Sequence, residues 1–320
     1  MNRFSTILSV IDPTTAEQPA LERAAWLAAA IGAELNLVIC YYNEYLAGDR
    51  FFDSESLHKA REQVLASYGK RLENLAEPLR AKGLSVRTAV NWDRPLHEAI
   101  VRHAESIKAD IVFKDTHHHS AVSRAVLTNT DWNLIRTCAA PLWLAKPVEM
   151  ADRPVFIAAI DPVNANDKPA ALDDEILGIG KALSDATNAE MHVFHAYDPR
   201  IAIASATANA YIPVSLPFDE IEKEVRAQHE ERFNEVTEYH EIPPDRLHLV
   251  SGITHEELPE LARKLAASVV VMGAVSRTRL KHLFIGATAE RTLEHLPCDL
   301  LIIKPDWFHT PVDLQREHAA

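Results

Sequence analysis

Apolar residues along this chain fall into two alternating kinds of run. Short blocks such as Ile7-Leu8-Ser9-Val10-Ile11 and Val269-Val270-Val271-Met272 are almost continuously apolar, as strands must be when helices cover both faces of a parallel sheet. Longer stretches between them repeat their apolar positions every three or four residues, the period of an amphipathic helix. In the first half this pattern predicts strands over Thr6–Ile11, Glu34–Cys40, Ser85–Val90, Asp110–Phe113 and Leu142–Ala145. It predicts helices over Gln18–Ile31, Ser56–Ala81, Pro95–Ile107 and Asp131–Cys138. The helix from Pro95 sets Leu96, Ile100, Ala104 and Ile107 on one apolar face. Strands joined through helices by right-handed crossovers give a doubly wound, five-stranded parallel sheet with flanking helices.

The second half repeats the first. A constant offset of 158 carries Leu96 through Pro147 onto Thr254 through Pro305 without a gap, and Ile7 to Pro13 resembles Phe156 to Pro162. A repeat of this length is a domain, not a solenoid unit. Two tandem domains are therefore expected over 1–148 and 153–306, with a tail over 307–320. Thr254-His255-Glu256-Glu257 reads as a capping box at the start of the second domain's third helix.

Charge separates the two halves. Residues 1–150 hold 17 Lys+Arg and 18 Asp+Glu, a balance of −1, whereas residues 151–320 hold 16 and 28, a balance of −12, making up the total of −13. An acidic surface repels nucleic acid and anionic lipid at long range. No apolar run approaches a membrane span of about 20 residues, and Met1-Asn2-Arg3-Phe4 leads directly into a strand. A cytoplasmic protein with neither nucleic-acid nor membrane partners is expected. Cys40, Cys138 and Cys298 have neither metal-ligand spacing nor a disulfide framework, so they read as buried reduced thiols.

In doubly wound sheets ligands bind beyond the carboxyl ends of the strands, where strand order reverses. Asp12, Asp161 and the long loops after the fourth strands lie there. A loop cradles phosphate when glycines admit its backbone amides and a helix amino terminus adds its dipole. Gly273 and Gly286 supply this in the second domain, while no glycine lies between Gly83 and Gly178 in the first.

Val269 to Gly273, the run Gly286-Ala287-Thr288, the ending Cys298 to Pro305 and Gly252 to Glu257 together resemble the universal stress protein family. The two-domain length and the tail Trp307-Phe308-His309-Thr310-Pro311-Val312 resemble its tandem E-type members. The resemblance spans essentially the whole chain. It implies the adenine nucleotide alpha hydrolase-like fold, a cytoplasmic role in stress survival, and ATP binding in the subset bearing Gly-x2-Gly-x9-Gly-Ser/Thr. Carried onto this sequence, Gly273 and Gly286 take the first and third glycine positions. Ser276 replaces the second, and Ala287 the hydroxyl residue, with Thr288 one place later. In the first domain Asp115, His118 and Thr128 replace all three. The resemblance thus implies ATP, with Mg²⁺ accompanying it, in the second domain only. The candidate nucleotide residues are Asp161, Ala196, Gly273, Ser276, Arg277, Gly286, Ala287 and Thr288. It also implies that the two domains pair as an internal pseudo-dimer through Leu142–Ala145 and Leu300–Ile303, with a further homodimer as an extension.

Other features divide between chemistry and plain structure. Asp12 reads as a turn cap with Pro13, whereas Asp161 reads equally as a cap or a ligand residue. His117-His118-His119 reads as a solvated loop, because consecutive loop residues seldom converge on one metal ion. The uncharged segment from Ile201 to Phe218 packs as core or lines an apolar ligand site through Ile203, Tyr211, Ile212, Leu216 and Phe218. Trp132 is expected to fill the space left by the first domain's missing glycines. No nucleophile elbow, paired catalytic carboxylates or P-loop lysine is present. The leading expectation is a non-catalytic, regulatory binding protein. A slow ATP hydrolase and an apolar-ligand carrier or scaffold remain open.

Overall fold

The computed structural model describes residues 4–48, 55–116, 127–163, 171–200, 218–274, 292–293 and 295–315. The chain divides into two compact units, Met1–Glu149 with Trp307–Ala320, and Met150–Asp306. The tail that follows the second repeat belongs to the first unit.

In the first unit the strands are β1 (Thr6–Val10), β2 (Glu34–Tyr41), β3 (Val86–Trp92), β4 (Ile111–Asp115) and β5 (Leu142–Ala145). They alternate with helices α1 (Pro19–Ile31), α2 (Glu55–Ala81), α3 (Leu96–Ser106) and α4 (Asn129–Thr137). All pairings are parallel, in the order β3-β2-β1-β4-β5. Order reverses at β1, whose neighbours β2 and β4 leave on opposite sides. The second unit has β6 (Val155–Ala159), α5 (Ala171–Thr187), β7 (Glu190–Tyr197), α6 (Phe218–Tyr239), β8 (Leu247–Ser251), α7 (Thr254–Lys264), β9 (Val269–Gly273) and β10 (Asp299–Ile303). Its order is β10-β9-β6-β7-β8, again parallel. The doubly wound, five-stranded parallel sheet read from the hydrophobic pattern is present in each unit.

The repeat extends to single hydrogen bonds. After α3, Lys108 takes a left-handed φ of 53°, and after α7 the equivalent Ala266 takes 48°. In each case the next amide turns back onto the helix, Ala109 to Ala104 O and Ala267 to Ala262 O, both at 2.8 Å. The following amide joins the first strand, Asp110 to Thr6 O at 2.9 Å and Ser268 to Val155 O at 2.8 Å. These bonds satisfy carbonyls that a helix end leaves open and set the register of the strand that follows.

Burial follows the sheet. Every residue of β4 and of β5 is buried, and Trp143 stacks on its register partner Phe113 with centroids 5.0 Å apart. Cys40, Cys138 and Cys298 are buried and unbridged, and burial pushes the Cys40 thiol up to about 12, so it stays protonated and inert. No helix among the described residues is long and apolar enough to cross a membrane.

Three local expectations fail. Leu96 is 41% exposed, because it is the first residue of α3 and projects past the packed layer. The buried face is instead Ala99, Ile100, Val101, Arg102 and Ala104. Thr254 is no cap: the amides of Glu256 and Glu257 both donate to Ile253 O, at 2.9 and 3.0 Å, so the helix begins one residue earlier. Trp132 is only half-buried, since on α4 it is Asp131, Leu134 and Ile135 that point inward.

Arg102 is buried because it is paired. Its Nε and Nη2 donate to the two oxygens of Asp93 at 2.7 and 2.9 Å, and Nη1 donates to Glu98 at 3.0 Å and to Asp313 O of the tail at 3.3 Å. Burial alone would lower the guanidinium, but the hydrogen bonds to Asp93 and Glu98 outweigh it and raise its pKa. Breaking a buried pair strands the remaining charge. Arg102→Met should therefore destabilise the protein by about 3–5 kcal/mol in chemical denaturation. It should also expose residues 307–315 to protease.

Candidate functional site

The carboxyl edge of each sheet is where the loops converge, and the two units have used it differently. In the first, the peptide after β1 is clasped by Gln18. Asp12 N donates to Gln18 Oε1 at 3.1 Å, and Gln18 Nε2 returns to Asp12 O at 2.8 Å. Asp12 Oδ1 accepts from Thr14 N at 2.7 Å and from Thr14 Oγ1 at 2.6 Å, the capping role expected of it. Asp115, at the end of β4, accepts from Ala20 N at 2.6 Å. Its carboxylate thus occupies the amino terminus of α1, where a helix dipole favours an anion.

Among the described residues, Lys114 and Asp131 at this edge also pair internally. Lys114 Nζ lies 2.7 Å from Asp131 Oδ1 and donates to Asp115 O at 2.8 Å. Asp131, fully buried, closes a capping box on Thr128: Thr128 N donates to Asp131 Oδ2 at 2.7 Å, and Asp131 N returns to Thr128 Oγ1 at 3.2 Å. Thr128, at the position of the third glycine, is therefore a helix cap. A lysine within an apolar strand and Thr-x-x-Asp after it were the sequence signals of this network.

In the second unit Asp161 follows β6, and Gly273 ends the neighbouring β9, with Ala159 and Met272 in register just before them. Asp173, near the start of α5, takes the place of Gln18 and accepts from Asp161 N at 3.2 Å. Met272, Gly273 and Ala274 stand where the first unit has Lys114, Asp115 and Thr116, so neither Asp115 nor Lys114 has a charged counterpart at the aligned position. Gly273 is fixed by packing. A Cβ there would lie 2.6 Å from Leu172 Cδ2 and 3.2 Å from Ile176 Cδ1, so any side chain at this position would have to push Leu172 aside. A second close approach occurs at Gly252, φ 154°, where a Cβ would meet the folded-back Glu257 at 2.5 Å.

Beyond β7 the edge carries a histidine pair. His195 is 2% exposed. Its Nδ1 lies 3.1 Å from Ile160 O and its Nε2 lies 2.7 Å from His229 Nδ1. His229 sits on α6 in the stripe Val225, His229, Phe233 and Thr237, with the Tyr197 ring 5.2 Å away and Phe233 stacked on His195. Burial lowers the His229 pKa, and Asp161 pulls against it. Next to these, Asp198 is held by both edges of Arg200, at 2.8 and 2.9 Å, and the hydrogen bonds from Arg200 keep its pKa low.

Of the sequence candidates, Asp161 and Gly273 come together at one edge. Ala196 is half-buried on the face of β7 opposite His195 and Tyr197. Ser276, Arg277, Gly286, Ala287, Thr288, Ile203, Tyr211, Ile212 and Leu216 lie outside the described residues, as does His117-His118-His119; Phe218 is described only as the first residue of α6. Among the described residues no three His, Cys, Asp or Glu side chains converge as a metal site. His195 and His229 were missed, although a histidine four residues before a phenylalanine on an otherwise charged helix marks an inward stripe.

Two doubly wound domains in tandem, each with a loop-bearing carboxyl edge, define a class of α/β proteins, and the sequence places the chain within it. The pattern of the universal stress protein family matches residues 3–146 and 170–304, and the chain belongs to that family. It is 30% identical over 318 residues to "Universal stress protein E" of Escherichia coli strain K12, covering 99% of each chain. It is 26% identical to the protein of that name from Photorhabdus laumondii. A solved universal stress protein of Pseudomonas aeruginosa UCBPP-PA14 superposes with a TM-score of 0.72 at 26% identity, over 95% of this chain and 94% of that one. This is a tandem universal stress protein, with the stress response as its broad role.

Gly273→Ala should destabilise the protein by about 1–3 kcal/mol through overpacking against α5. Leu172→Ala added to it should recover part of that loss in thermal denaturation. A neutral Gly273→Ala would mean that α5 yields freely.

Proposed function

We propose that this protein is a non-catalytic binding protein of the stress response with one ligand site per chain, in the second domain, of the adenine nucleotide type. The observation that carries this reading is the contrast at the ends of β4 and β9. The Asp115 carboxylate is committed to the amide of Ala20 at 2.6 Å, whereas the equivalent position is Gly273 with no anion of its own. An anion already seated on a helix amino terminus excludes a second. In the second domain Ser276, Arg277, Gly286, Ala287 and Thr288 would meet the phosphates, Asp161 and Ala196 would face the nucleoside, and Mg²⁺ would accompany ATP. No nucleophile or general base is arranged for hydrolysis among the described residues, so binding, not turnover, is the proposed activity.

Isothermal titration with ATP should give about one site per chain, and Arg277→Ala should weaken it through loss of a phosphate contact worth about 1.5–3 kcal/mol. Two equivalent sites, or no binding at all, would overturn the reading. Absence of nucleotide with an acyl or other apolar molecule released from the purified protein would favour the carrier, with Ile203, Tyr211, Ile212, Leu216 and Phe218 as its lining.

The family resemblance and the apolar character of Leu142–Ala145 and Asp299–Ile303 also support pairing of the two domains through their last strands, in the cytoplasm. Hydrogen exchange should then be slow along both strands. Fast exchange of alternate amides would mark them as unpaired edges.

A further inference from the structure

Each unit closes the start of its second strand with the same small ion cluster, and the second unit has made that cluster titratable. In the first unit Glu34 opens β2, accepts from Asn36 Nδ2 at 3.3 Å and pairs with Arg87 of β3 at 2.9 Å. In the second unit Glu190 opens β7, and its Oε1 lies 3.2 Å from His192 Nε2 and 3.4 Å from Arg246 Nε. Arg87 is in register with Asn36, and Arg246 directly precedes Leu247, the register partner of Val193, which sets it beside His192. His192 thus takes the place of Asn36. A second ring is then added, because His248 Nε2 of β8 lies 2.9 Å from His192 Nδ1, with the rings stacked 5.1 Å apart. His248 is in register with Phe194. The first unit has Ala89 there, opposite Val38.

The geometry fixes where the protons sit. Glu190 Oε1 faces a guanidinium on one side and accepts from His192 on the other. His192 is 6% exposed, and burial holds its pKa down, so near neutral pH it carries one N–H, on Nε2. Its Nδ1 is a lone pair and accepts from His248 Nε2. The chain of donors therefore runs from the last strand of this unit's sheet to the ion pair. One added proton leaves it intact, since an imidazolium and an imidazole still share a single N–H between them. A second proton sets N–H against N–H at 2.9 Å, and the bond is lost.

The strand at stake has little else to hold it. Among the described strands of this unit, β8 ends the sheet and pairs with β7 alone. An edge strand is held by one ladder and by the side-chain pairs across it.

We infer that the His192–His248 pair is an acid-released clasp, which on proton uptake frees β8 and the turn Pro244–Arg246 from β7 and so opens the second domain at an acidity that leaves the first closed.

Burial acts first on both rings and lowers both. Around His192, Glu190 and Asp245 favour the charged form, while Arg246 opposes it. Around His248, the neighbouring His192 and Lys264 at the end of α7 oppose it. The inward residues of α7 are otherwise Leu258, Pro259, Leu261 and Ala262, and β6 presents Ile157 in register with His192. His195 and His229 lie on the opposite face of β7. The sign follows: each ring has a lower pKa folded than its ordinary 6.5. Such a group contributes stability that is fully present above the unfolded value and is lost as pH falls through the folded one. The opened form takes up protons first, so acidification favours opening.

The test is native-state hydrogen exchange of the full chain at about pH 7.5 and about pH 5.5, corrected for the intrinsic rate. Protection of the β8 amides that face β7 should fall roughly tenfold, one pKa unit of linkage, while β3 keeps its protection. His192→Asn combined with His248→Ala, the residues that the first unit uses, should remove this loss. His229→Gln, on the other face, should leave it in place. Long-range ¹H–¹⁵N spectra of the wild type, which need no variant, should show both His192 and His248 as the Nε2–H tautomer at neutral pH. Equal protection of β8 at both pH values, a loss that persists in the double variant or vanishes in His229→Gln, or an Nδ1–H tautomer at His192 would each overturn the inference.

Discussion

One hydrogen bond organises the difference between the two domains, the 2.6 Å contact from the amide of Ala20 to the carboxylate of Asp115. A helix that starts over the carboxyl edge of a parallel sheet presents unsatisfied N–H groups and a positive dipole end. Something anionic or polar must meet them. In the first domain the protein meets them from within, and having placed one carboxylate there it neutralises the surroundings with Lys114 and its buried partner Asp131. Thr128 and the start of α4 then follow from Asp131, whose second oxygen receives the Thr128 amide. Asp115, Lys114, Asp131 and Thr128 thus satisfy one another at this edge.

The second domain was left with the complementary problem. With Gly273 in place of Asp115, α5 can settle directly onto β9, and Leu172 fills the space that a side chain would have taken. Packing against Leu172 and Ile176 favours glycine at this position.

The fold was legible because its code is redundant. Five apolar blocks per half, an offset of 158 and matching termini all pointed to one topology, and most strand boundaries fell within two residues of those read from the pattern. The failures were local and of one physical kind. Thr254 was read as a cap because Thr and Glu have the right spacing, but which residue is the cap depends on where the chain leaves the preceding strand. At Thr128 the same chemistry does form, with Asp replacing Glu. Of the candidate edge, Asp161 and Gly273 were read from the sequence, and the structure brings them together. The histidine pair was not, because His195 and His229 are 34 residues apart and only the crossing of α6 over β7 brings them within 2.7 Å.

The return of the tail to the first unit bears on how the protein is made. Residues 1–149 emerge from the ribosome first, yet the segment from Trp307, with the backbone acceptor at Asp313 for the buried Arg102, emerges last. At ordinary elongation rates the intervening second unit delays that contact by on the order of 10 s. The amino-terminal domain therefore passes through a nascent period in which its buried arginine lacks one of its acceptors. It reaches its final set of contacts only after the carboxyl-terminal domain has been synthesised, reversing the usual order of vectorial folding.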